Sequence, residues 1–117
     1  MINAKQEFLD HINDRCVGGR TVRCASVQFE YGHDDNDKPI KHVLPVGYTP
    51  EDLVLFLAEI NRNYDNGWGG QELFGTIWYT DGVTWSERGE YDGSEWWEFR
   101  EVPEITPELM GDEDIRV

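Results

Sequence analysis

Cations are scarce in this sequence. Ten Lys and Arg face 24 Asp and Glu over 117 residues, a formal net charge of −14. Such a chain repels phosphate backbones and anionic headgroups, so neither direct nucleic-acid binding nor membrane-surface binding is expected. Long apolar runs are missing too. The longest, Leu53 to Ala58, falls far short of the roughly 20 residues that a bilayer-spanning helix needs. The N-terminal stretch MINAKQEFLDHINDR has no apolar signal core, and the reading is a cytoplasmic protein. Cysteine is nearly absent. Cys16 and Cys24 read as a helix end and a mid-strand position, and free buried thiols in a reducing compartment are expected rather than a bridge. Without a C-x-x-C pair there is no zinc ribbon or dithiol motif. G-x-S-x-G elbows, phosphate loops and dinucleotide fingerprints are also absent, so no catalytic, cofactor or metal residue is assigned and a non-enzymatic protein is expected.

What is present is enough for one core. An apolar fraction of 38% and an aromatic fraction of 13% suit a globular domain that needs no staples at this length. Phe8, Leu9, Ile12 and Cys16 recur with a period near 3.6 and predict a helix over residues 3–16, ended by Gly18-Gly19. TVRCASVQFEY, residues 21–31, is strand-like, with a change of parity that calls for either a bulge near Ala25-Ser26 or cover on both faces. GHDDNDK then forms a polar loop, and Ile40 to Val46 returns as an edge strand or a strand ending at Pro45. Thr49 as N-cap, Pro50 at the first turn, and Leu53, Phe56, Leu57, Ile60 and Tyr64 in helical series predict a second helix over 50–64.

Three strand-like runs follow, Leu73–Thr80, Val83–Glu90 and Ser94–Val102, separated by Asp81-Gly82 and Asp92-Gly93. Asp-Gly between apolar runs is a strong hairpin signal, and two-residue turns fix the register. Trp78 then opposes Trp85, Ile77 opposes Ser86, Trp97 opposes Arg88, and Glu87 neighbours Glu98 across the strands. The fold class predicted is α+β, ordered α-β-β-α-β-β-β, with about five antiparallel strands and two helices on one face. Residues 1–103 form the domain, and 104–117 an acidic, irregular tail.

This register sorts the aromatic residues. Leu73, Ile77, Tyr79, Trp97 and Phe99 share the face expected to meet the helices. Phe74, Trp78, Trp85 and Trp96 share the other, beside Glu87, Glu98 and Arg100. Mutual packing, with Trp78 stacked on Trp85 and Arg100 over a ring, is the plain structural reading. The functional reading is a contact surface, because Trp and Tyr dominate interface hot spots. The acidic excess adds to it: residues 90–117 hold ten acidic against two basic residues, a net −8. The candidate partner-binding set is therefore Trp78, Trp85, Trp96, Glu87, Glu90, Asp92, Glu95, Glu98 and Arg100. Weaker signals reduce to structure. The DDND run at 34–37 lacks the glycine and bidentate Glu of a calcium loop. His11, His33 and His42 have no ligand spacing, and pairing Glu87 with Glu98 as acid and base rests on little else.

The run GTIWYTDGVTWSERGEYDGSEWWEFREVPEI resembles a pattern in small accessory proteins of bacteriophages and prophages. It is carried by Gly75, Trp78, Asp81, Gly82, Trp85, Arg88, Glu90, Tyr91, Asp92, Gly93, Ser94, Glu95, Trp96 and Trp97. Val83 is one residue extra against that pattern, which would shift the first hairpin by one if absorbed in the turn. The resemblance implies a viral protein working inside a bacterium and brings no activity or site with it. Together with the charge, it leads to an expected inhibitor or modulator that occupies a basic surface of a host protein. A nucleic-acid-handling defence complex is the concrete version, as in anti-CRISPR or anti-restriction action by phosphate mimicry. Self-assembly of a small structural phage protein, as a homodimer through the aromatic face, is the alternative. A carbohydrate- or nucleotide-binding enzyme using the Trp and Glu face ranks below both.

Overall fold

The computed structural model describes residues 1–30, 39–65 and 70–103. The GHDDNDK loop and the tail expected at 104–117 lie outside them. Among these described residues, nine elements follow in order: β1 (Ile2–Asn3), α1 (Ala4–Ile12), β2 (Val22–Phe29), β3 (Ile40–Leu44), α2 (Pro50–Glu59), β4 (Asn63–Tyr64), β5 (Leu73–Tyr79), β6 (Thr84–Tyr91) and β7 (Ser94–Glu101). Five strands form one antiparallel sheet in the order β3-β2-β5-β6-β7. Both helices pack on one side of it. The α+β architecture expected from the sequence is the one observed.

The core is built where the apolar periodicities meet. Ala25, Val27 and Phe29 of β2, Leu44 of β3, Leu73, Ile77 and Tyr79 of β5 and Trp97 of β7 point inward. They close on Phe8 of α1 and on Phe56 and Ile60 of α2 and its cap. Phe8 holds the two helices together, lying edge-on to Phe56 with centroids 5.5 Å apart and to Trp97 at 6.1 Å. Such edge-to-face pairs add about 0.5–1.5 kcal/mol beyond area burial.

Helix α2 starts as expected. The Thr49 hydroxyl accepts from the Asp52 N–H at 3.1 Å, and the Asp52 carboxylate accepts from the Thr49 N–H at 3.0 Å, a reciprocal capping box. Both helices end early. Asn13 closes α1 by donating its side-chain amide to the Leu9 carbonyl, and the Asp14 carboxylate accepts from the Cys16 N–H at 3.0 Å. That local bond competes with helix continuation. Cys16 is thus exposed and Cys24 half-buried, and both thiols are free; burial was the wrong expectation. Residues 63–64, assigned to α2 by periodicity, instead form β4 and pair with β1. Asn3 serves this small sheet twice, as N-cap of α1 and as donor to the Asn61 and Asn63 side chains.

The strands keep the expected register. Trp78 opposes Trp85 and Ile77 opposes Ser86, and Arg88, Glu87 and Ser86 oppose Trp97, Glu98 and Phe99. The extra Val83 is absorbed without shifting the pairing. Asp92 and Gly93 both have positive φ, 52° and 86°, as the tight primed turn demands. The bulge sits slightly earlier than expected, between Val22 and Cys24, and it turns Val22 toward the core. β3 lies at the sheet edge and stops at Leu44, before Pro45.

Candidate functional site: the uncovered face of the sheet

Helices cover one face of the sheet, and the opposite face carries a layered pattern set by the register. Cys24, Trp78, Trp85 and Arg100 form one cross-strand row. Val43, Ser26, Thr76, Glu87 and Glu98 form the next. Lys41, Gln28 and Phe74 align beyond it, with Trp96 opposite Gly89. Two aromatic rows therefore flank a polar one. Phe74, Trp78 and Trp96 remain 38%, 44% and 38% exposed, while Trp85 is half-buried.

Two glycines make room for the neighbouring indoles of β7. A Cβ on Gly89 would stand 2.8 Å from Trp96 Nε1, so the Trp96 ring lies flat across β6 on the outer face. A Cβ on Gly75 would stand 2.9 Å from Trp97 Cη2 and 2.6 Å from the Ser26 carbonyl, so Trp97 crosses the inner face as far as β5. Consecutive tryptophans thus lie on opposite sides of one strand.

Charge on the outer face is nearly balanced. Arg100 pairs with Glu87 at 2.6 Å and with Glu98 at 3.0 Å. Exposed pairs like these add little stability, but they offset the cross-strand repulsion of the two carboxylates. Arg23 stands with Trp78, Trp85, Val83 and Val102 around an open cleft of about 180 Å³. Arg100 binds the Glu87 and Glu98 carboxylates where it was expected over an aromatic ring.

The candidate set divides accordingly. Trp78, Trp85, Trp96, Glu87, Glu98 and Arg100 come together on the outer face. Glu90 and Asp92 are exposed at the β6–β7 turn, where Glu90 accepts from the Gly93 N–H at 3.0 Å. Glu95 does not belong to the surface. Its side chain is 0% exposed, because it shares the inward parity of Trp97, and it accepts from the Glu72 and Leu73 N–H groups at 2.8 and 3.0 Å.

Glu95 belongs to a buried charged cluster that composition hid. The Arg88 side chain, 1% exposed, pairs with Glu7 at 3.0 Å and Glu95 at 3.4 Å. It donates to the Tyr64 hydroxyl at 2.8 Å and lies over the Trp97 and Tyr64 rings. Tyr64 in turn donates to Glu7; burial, then that hydrogen bond, pushes its phenol well above the usual tyrosine range. Beside this cluster, Ser86 Oγ lies 2.7 Å from both His11 Nε2 and the Tyr79 hydroxyl. A Ser–His contact is the geometry of an activated nucleophile. Here Ser86 is fully buried, and the contact ties α1 to the sheet in the interior. Burial holds the His11 imidazole below its usual pKa; Asp14 opposes that shift and Arg88 adds to it.

Among the described residues no group of three or more His, Cys, Asp or Glu is placed to hold a metal, and no helix is long and apolar enough to cross a membrane. Comparison with known proteins finds no matching family model, curated protein or solved structure.

Proposed function

We propose that this chain is a non-enzymatic binding protein that docks a partner protein on the uncovered face of its sheet. The observation that carries the reading is the exposure of Phe74, Trp78 and Trp96 together on the side without helices. Contiguous exposed aromatic surface marks contact sites, and Trp is enriched among residues that dominate binding energy. The net charge of −14 supports a partner with a basic surface, because complementary long-range fields steer association. A host nucleic-acid-handling complex blocked by a phage-encoded phosphate mimic is the specific form of the proposal. Its support is the charge and the sequence resemblance.

Immobilised protein is the test, run against bacterial lysate in parallel with the Trp78→Ala/Trp96→Ala variant. A partner held by the wild type and lost by the folded variant supports the proposal. Identical captured sets for both proteins would refute it.

A second reading is self-assembly through the same face. What favours it is the local charge balance, since Arg100 offsets Glu87 and Glu98 and two acidic chains could meet there without like charges in contact. Sedimentation showing a dimer that Trp78→Ala dissolves would select this reading.

A further inference from the structure

Opposite the bare sheet, on the outside of the helix layer, α2 presents a second apolar surface. Its sequence, PEDLVLFLAE, places apolar residues on its outer side as well as its inner one. Phe56, with Leu53, Leu57 and the cap residue Ile60, packs into the core. Val54 and Leu55 instead stand 66% and 61% exposed, and Ala58, one turn on from Val54, is exposed as well. A surface helix needs one apolar stripe, and a helix apolar on both sides is normally covered on both. Pro50, Glu51, Val54 and Leu55 together form a shallow, open surface on this side.

Charge narrows what covers it. The ionisable residues of α2 are Glu51, Asp52 and Glu59, all acidic. Asp52 is engaged in the cap, while Glu51 and Glu59 are exposed beside the apolar patch, Glu59 within 2.9 Å of His42 Nδ1. A second copy seated here would bring like carboxylates together within a pair of chains of −14 each. A hydrophobic segment rimmed by cations meets no such opposition. We propose that the outer face of α2 is a docking surface for an amphipathic helix of another protein, apolar on one side and bordered by Lys or Arg. The surface is independent of the tryptophan face. Because the two lie on opposite sides of the two-layer fold, both can be occupied at once, as an adaptor requires.

The test is an NMR titration of the full chain with a synthetic amphipathic Leu/Lys helical peptide, and with its Leu/Glu counterpart. Chemical-shift changes centred on residues 50–59 with the Leu/Lys peptide only are expected. Val54→Ser/Leu55→Ser should weaken binding at least about tenfold, and Glu51→Lys should weaken it independently of any packing change. Trp78→Ala should leave it unchanged. Shifts centred on the bare sheet, equal binding of the two peptides, or undiminished affinity in the Val54→Ser/Leu55→Ser variant would each overturn the proposal. So would salt-resistant dimerisation that the same double variant abolishes.

Discussion

Arg88 is held by two carboxylates, a phenol and two aromatic faces inside the fold. Replacing it with Met keeps much of the volume and leaves Glu7 and Glu95 without their cation. Breaking a buried pair from one side costs about 3–5 kcal/mol, and urea denaturation of Arg88→Met should show a loss of that order. A loss under roughly 1 kcal/mol would mean that the charges are relieved by other groups. His11 gives a pH test. Its folded pKa lies below the usual 6.5, so the unfolded chain binds the proton more readily. Its contribution is therefore complete above pH 6.5 and is lost as pH falls through 6.5 toward the folded value. Thermal melts of His11→Gln should lack that decline while retaining any acid loss from carboxylates. At Gly75 the added methyl of Ala meets backbone on one side and Trp97 on the other. Neither yields readily, so Gly75→Ala should destabilise by about 1–3 kcal/mol as an overpacking change.

At the scale of elements, local signals specify the hairpins and caps, and tertiary contacts decide the rest. Thr49→Ala should cost about 1 kcal/mol, because it removes the cap acceptor for the Asp52 N–H. The β6–β7 register is readable because Asp92-Gly93 is the turn dipeptide and a one-residue slip would turn every inward side chain outward. By contrast, β1 and β4 are two residues each, too short for any periodicity. Tyr64 fell in line with the α2 series by spacing alone; its hydroxyl is held by Arg88 and Glu7, which only the assembled fold brings near. Glu95 was legible in principle. It lies two residues before Trp97 and so on the same inward face, although a carboxylate at that position suggests the surface. Arg88, opposite Trp97, carries the same signal. The outward placement of Trp78, Trp85 and Trp96 is more legible, since alternation on β5, β6 and β7 separates them from the core residues directly.

For the whole molecule, the separation of charge from aromatic surface makes a kinetic prediction. The tryptophan face is nearly balanced locally, so it should govern how slowly a bound partner leaves. The long-range field of a −14 chain should govern how fast a basic partner arrives. Raising ionic strength from 0.1 to 1 M shortens the Debye length from about 10 to 3 Å. With a captured basic partner, stopped-flow association should slow steeply over that range while dissociation changes little. Trp96→Ala should do the reverse. Salt-independent association would assign the charge to solubility alone.

The paired indoles of β7 also equip the protein with two built-in optical probes. Trp96 lies against the outer face, partly open to solvent, and Trp97 is sealed between α1 and β5. Acrylamide should quench the first far more readily than the second. Trp96→Phe and Trp97→Phe, compared by difference, should give one emission signal that changes on docking and another that changes only on unfolding. Binding and stability can then be followed in one cuvette without a label, from neighbouring positions in the chain.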